Sequence, residues 1–170
     1  MKCLCVPSRW SSTATAACPS EYAFAYVDRV HRFRICLPAG VTKEAATGYP
    51  AGSVLFTSFA LPPKTNLRSK QLVIVAGEYD LLKSATPFGH FSANGMTFDR
   101  AKLEEGGAGN VTLHVIYTWN RGNNALHFDF EHRSVNRANF DPSNRPAEYN
   151  RDAQIKPTEQ IMITFALLAS

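Results

Sequence analysis

Between Asn110 and Ser134 apolar and polar residues alternate in two runs, and both runs agree on which side is buried. In the first, Val111, Leu113, Val115, Tyr117 and Trp119 interleave with Thr112, His114, Ile116 and Thr118. In the second, Leu126, Phe128 and Phe130 interleave with His127, Asp129 and Glu131. Period two marks a strand with one covered face. Asn120-Arg121-Gly122-Asn123-Asn124 lies between the runs and is rich in residues that tolerate positive φ at a tight turn. A loop at Gly122-Asn123 sets Trp119 against Leu126, Tyr117 against Phe128 and Val115 against Phe130, so every apolar residue meets an apolar partner. The hairpin then turns its greasy side inward and its histidine and acid side outward. On that outer side His114 faces Glu131, Ile116 faces Asp129 and Thr118 faces His127. His132 falls on the inner side opposite Leu113, as a satisfied histidine at the core's edge.

The pattern is shorter elsewhere. Tyr22 to Val27 and Val30 to Leu37 read as strands around a turn at Asp28-Arg29, with His31, Phe33, Ile35 and Leu37 on one face. Residues 41–51 read as a connector, Ser53 to Leu61 as a third strand closed by Pro62-Pro63, and Lys64 to Lys70 as a basic exposed loop. Leu72-Val73-Ile74-Val75-Ala76 is an unbroken apolar run, as expected of a strand covered on both faces. Residues 80–109 are less regular, with a short helix at Leu81-Leu82, a short strand at Met96 to Phe98 and a turn at Gly106 to Gly109. Near the end, Ala147 to Ile155 reads as a helix opened by Pro146 and ended by Pro157. Ile161, Ile163, Phe165 and Leu167 then alternate as a strand, although Thr158-Glu159-Gln160 would also cap a short helix. These elements define an α+β, single-domain sandwich over residues 21–170, with a mainly antiparallel sheet of about six strands and one or two packed helices. Residues 1–20, rich in Ser, Thr and Ala without periodicity, read as a flexible or docked N-terminal arm.

Composition narrows the function classes. A chain of 170 residues with 45% hydrophobic and 11% aromatic content buries a real core, which excludes intrinsic disorder. The net charge of +4 is scattered over Arg29, Arg32, Arg34, Arg133, Arg137, Arg145 and Arg151, not gathered into the stripe a nucleic acid requires. That distribution suits a solvated surface with a mild preference for acidic partners, either a protein partner or a small acidic ligand. No apolar run approaches the ~20 residues of a transmembrane helix. Thr15-Ala16-Ala17-Cys18 has the small-small-Cys form of a lipoprotein cleavage site, without the apolar run that should precede it. Cys3, Cys5, Cys18 and Cys36 lack the spacing of a zinc site. Their even number suits disulfides, with Cys18–Cys36 the favoured bridge and three connectivities open if all four pair. Buried free thiols in a reducing compartment are the alternative; the oxidising reading, periplasmic or secreted, is the one adopted.

The order of elements adds a resemblance. Phe33-Arg34-Ile35-Cys36-Leu37-Pro38, then Gly107-Ala108-Gly109, the hairpin and Ile163-Thr164-Phe165 resemble a group of uncharacterised bacterial envelope proteins, often lipoproteins. The pattern, over about residues 21–167, also resembles the Mog1/PsbP-like α/β sandwich more distantly. The resemblance implies accessory or binding roles, with no catalytic residue set to transfer, since fold does not fix function.

Chemistry concentrates on the hairpin's polar face. His114, His127, Asp129 and Glu131 offer imidazole nitrogen and carboxylate oxygen, which suit a metal or His–carboxylate acid/base work. An ordinary polar sheet surface accounts for the same pattern. Cys36 with His31 or His114 is a further nucleophilic arrangement, set against Cys36 as a disulfide half or buried thiol. Tyr49, Phe88, Phe91 and Tyr149 either line a cleft or cap the sandwich edges. No motif calls for a cofactor. The leading reading is a non-catalytic binding or accessory domain of the bacterial envelope. A His/carboxylate enzyme on the hairpin's polar face and a structural subunit docking through the arm are the alternatives.

Overall fold

Why the hairpin forms is already clear from its pattern, and a computed structural model, describing residues 17–122 and 124–169, shows where it sits. Strands β8 (Asn110–Arg121) and β9 (Asn124–Val135) pair antiparallel with Val115↔Phe130, Tyr117↔Phe128 and Trp119↔Leu126, the register that apolar matching dictates. They occupy the middle of a seven-stranded antiparallel sheet, where both edges of each strand are paired.

The remaining strands follow from shorter signals. β1 (Phe24–Asp28) and β2 (Phe33–Leu37) form a hairpin, with Phe33, Ile35 and Leu37 wholly buried. Arg32 takes φ +58°, so the chain leaves strand geometry before β2 and His31 does not join its apolar face. His31 bonds instead to Asp28, Nδ1 lying 3.0 Å from the carboxylate. β3 (Thr42–Glu44), β4 (Val54–Thr57) and β5 (Leu67–Ala76) form one wing of the large sheet, and β6 (Thr86–Ala93) and β7 (Met96–Gly107) form the other. The order across the sheet is β3-β4-β5-β9-β8-β7-β6. β10 (Ala166–Leu167) pairs with β2, completing a second sheet of order β1-β2-β10.

The large sheet therefore has seven strands where about six were expected. Thr42-Lys43-Glu44 is fully exposed at an edge and carries no hydrophobic signal. β6 is an edge strand whose register shifts between Pro87 and Gly89, which hides any alternation. The expected short strand at Met96 to Phe98 runs on to Gly107, and Ala108 and Gly109, both at positive φ, turn the chain into β8.

One α-helix is described, α1 (Arg151–Ile163), capped by the Asn150 side chain accepting from the Ala153 N–H. It starts later and ends later than Ala147 to Ile155. Pro157 lies inside the helix instead of ending it. A proline removes one helical hydrogen bond, and the turns beyond it are held by burial of Thr158, Ile161 and Met162. The period-two reading of Ile161 and Ile163 is overturned for the same reason, with Ile163 turned to solvent. Side-chain bonds tie the helix to the sheet, among them Tyr117 Oη, 3.1 Å from Thr158 Oγ1, and Arg100, which donates to Glu159 at 2.8 Å.

The main core lies between the large sheet on one side and α1 with the small sheet on the other. Phe165 is its hub, stacked on Phe33 at 5.3 Å and meeting Phe98, Phe128 and Trp119 edge-on at 5.2 to 5.5 Å. Such pairs contribute about 0.5–1.5 kcal/mol each beyond the area they bury. A second cluster (Leu55, Val73, Val75, Tyr79, Ile116) covers the opposite face of the sheet. The run at Leu72–Ala76 is apolar on both faces because each face has its own core. A disulfide joins Cys18 to Cys36. It removes Cys36 as a nucleophile for His31 or His114. Cys3, Cys5 and residues 1–16 of the expected arm lie outside the described residues.

Candidate functional site

The second cluster changes the character of the hairpin's polar face. That face is buried: His114, His127, Asp129 and Glu131 are all under a tenth exposed, and Asp129 is fully enclosed. The segments 45–50 and 78–85 fold over it, contributing Ala46, Tyr49, Tyr79, Leu81 and Leu82. The expectation of an outward, solvated surface is corrected accordingly. Four polar side chains on one sheet face accept burial only with partners.

The register brings three of them together. Candidate ligand atoms of His114, Asp129 and Glu131 lie within 4.8 Å of one another. Asp129 Oδ2 accepts from His114 Nδ1 at 2.8 Å and from the Tyr79 hydroxyl at 2.7 Å. Glu131 accepts from the Tyr49 hydroxyl at 2.8 Å and from Gln71, which also donates to Tyr49. Burial and the neighbouring Asp129 raise the proton affinity of Glu131 above the ordinary carboxylate range. Burial opposes charge on His114, but the bond to Asp129 and the surrounding acids outweigh it and raise its pKa. Burial and the same acids push both tyrosine hydroxyls far up, so they stay protonated donors.

His127 stands apart. Its Nε2 donates to the Gly77 carbonyl at 2.7 Å, and its Nδ1 lies 3.0 Å from Thr118 Oγ1. Both nitrogens are satisfied and burial depresses its pKa, which makes it a neutral structural histidine.

A second place on the molecule was invisible in the sequence. Beside the hairpin's apolar face, β5, β9 and α1 leave a groove of about 660 Å³. Tyr22, Phe59, Leu61, Phe130, Pro157 and Ile161 give it apolar walls. Lys70 and His132, cross-strand neighbours, are among its polar lining. The reading of Lys64 to Lys70 as an exposed loop is corrected, because β5 begins at Leu67. Lys70 has the parity of Leu72 and Ile74, which points it inward. Among the described residues its ammonium meets only neutral acceptors, Gln154 Oε1 at 3.2 Å and the Ala60 carbonyl at 3.4 Å. Burial lowers its pKa.

His132 is correctly placed opposite Leu113 but is not satisfied. It is 1% exposed, and neither ring nitrogen has a hydrogen-bond partner among the described residues. Burial, with Lys70 and His114 nearby, pushes its pKa down to about 3, so the ring is neutral. Of the aromatics first noted, Tyr49 caps Glu131, Phe88 lies under Arg100 and Lys102, and Tyr149 is buried beside His132. None of these, nor Phe91, lines the groove.

A two-sheet α+β sandwich, with both faces of the larger sheet covered, is the class these observations define. No family model matches the chain, and no curated protein matches it. Among solved structures it is similar to a variant of the protein Mog1 at 9% identity and TM-score 0.56, covering 86% of this chain and 96% of that one. It is also similar to a Bacteroides thetaiotaomicron protein at 13% identity and TM-score 0.51, covering 86% of this chain and 48% of that one. This chain thus spans about half the length of the Bacteroides protein. CyanoP, the cyanobacterial PsbP of Synechocystis sp. PCC 6803, aligns at 10% identity and TM-score 0.48, over 90% of this chain and 98% of that one. At these identities the likeness concerns the fold alone, and the fold is a distant Mog1-like one.

Proposed function

We propose that this chain is a non-catalytic binding domain of the bacterial cell envelope, and that the groove under α1 holds a small acid with an apolar body. The observation that carries this reading is Lys70, a half-buried cation with no acidic partner among the described residues at hydrogen-bond range. An ammonium has three N–H donors and two are engaged here, by neutral oxygens. An anionic head offers a stronger, charge-assisted bond to the third. His132 adds a buried N–H beside it. The groove's size and mainly apolar lining match small-molecule sites, which combine greasy walls with a few placed polar groups. Glu21 and Lys156, which also line it, frame it with charge of both signs. The Cys18–Cys36 bond supports an oxidising compartment.

Titration calorimetry of the full chain with decanoate, 1-decanol and decylamine tests the reading. Decanoate binds at one site, decanol at least tenfold more weakly, and decylamine not at all. Lys70→Met abolishes the preference for decanoate over decanol. Equal binding of the three, or none, overturns the proposal. So does decanoate binding that Lys70→Met leaves unchanged.

A further inference from the structure

The far face of the sheet carries a different chemistry. His114 Nδ1 is committed to Asp129, and that carboxylate is in turn held by Tyr79. With Nδ1 carrying the proton, the lone pair of a neutral ring lies on Nε2. This atom is buried and has no hydrogen-bond partner among the described residues. It faces Glu105 Oε2 at 3.4 Å, outside hydrogen-bond geometry. A lone pair aimed at a carboxylate is repulsive unless a cation lies between them. Glu131 stands on the same face, fixed by Tyr49 and Gln71. Asp129 has a second oxygen, Oδ1, buried without a hydrogen-bond partner among the described residues.

We infer that His114, Glu105 and Glu131 form a binding site for a divalent transition-metal cation, with Asp129 orienting the imidazole from behind. Ligating histidines in metal sites usually donate their other ring N–H to a carboxylate, and the ligating carboxylates are themselves hydrogen-bonded. The first feature is built here, His114 Nδ1 meeting Asp129, and the second is built at Glu131, which Tyr49 and Gln71 hold. One imidazole with two carboxylates suits zinc or cobalt and leaves room for water. The local charge favours a cation: three carboxylates surround one histidine, with Arg133 the basic residue lining the adjoining depression. Access exists, since Glu105, Thr112, His114 and Glu131 line a surface depression of about 380 Å³. Glu105 is half exposed and needs no opening of the core to accept an ion. The competing occupant of the gap is a proton, which makes His114 an imidazolium held between two acids.

Calorimetry with zinc on the EDTA-dialysed full chain decides between them, run also on a Cys3→Ser/Cys5→Ser variant so that thiols do not take the metal. One zinc binds at micromolar affinity, and Glu105→Gln weakens it at least tenfold. Glu131→Gln does the same, and cobalt gives visible absorption that Glu105→Gln removes. Lys70→Met leaves zinc binding unchanged, which separates this site from the groove. Failure of zinc to bind, or binding that neither glutamate substitution alters, overturns the inference and assigns the gap to a proton.

Discussion

Tyr79 and His114 donate to the same oxygen of Asp129, from 2.7 and 2.8 Å, across a carboxylate with no exposed surface. A loop residue and a strand residue therefore share one acceptor. The 78–85 segment is pinned onto the sheet by this bond as well as by packing.

Tyr79→Phe removes one of the two donors and leaves an anionic oxygen under-satisfied in a dry setting. A loss of about 1–3 kcal/mol is expected, measured by urea denaturation with an unchanged slope. In an Asp129→Asn background the same substitution costs less than half as much, because the charge it served is gone. Additive costs in the double-mutant cycle contradict a shared network.

His132 gives a pH dependence of known sign. Its folded pKa is depressed to about 3 from the ordinary 6.5. As pH falls below 6.5 the unfolded chain takes a proton that the folded chain refuses, so stability drops across the window down to about 3. His114 and Glu131 act oppositely, since their raised values add stability at low pH that is lost as pH rises through each folded value. Comparison with His132→Gln isolates the first effect. Between pH 6 and 4 the wild type loses about 1.4 kcal/mol per pH unit relative to the variant. Parallel curves in urea melts at pH 7, 6, 5 and 4 rule this out.

The Cys18–Cys36 bond closes a loop with a sequence separation of 18. Replacing both with Ala lowers stability by about 3 kcal/mol through the freed unfolded chain. Thiol titration of the unfolded wild type, with and without reductant, checks that the bond is present. A double variant as stable as the parent shows that the crosslink contributes nothing.

The hairpin register was legible because two independent alternations had to agree, and a one-residue slip would have turned Phe128 and Phe130 to water. The pairing of His114 with Glu131 came with it, since cross-strand partners follow from register alone. What covers that face was not legible. Tyr49 and Tyr79 lie in connectors without periodicity, and only folding shows that they lie over it. Lys70 was hidden because a charged residue at an inward position breaks the hydrophobic pattern that marks strands. The α1 boundaries were hidden because Pro157 carries a local stop signal that burial of Thr158, Ile161 and Met162 overrides.

The two rims of the large sheet share one property. On one side lies β3, three residues long and wholly exposed; on the other β6 carries Pro87 and a break in register. Short or interrupted rims offer few backbone donors in line for an incoming ribbon. Along these two margins an incoming copy of the chain finds little continuous backbone to pair with.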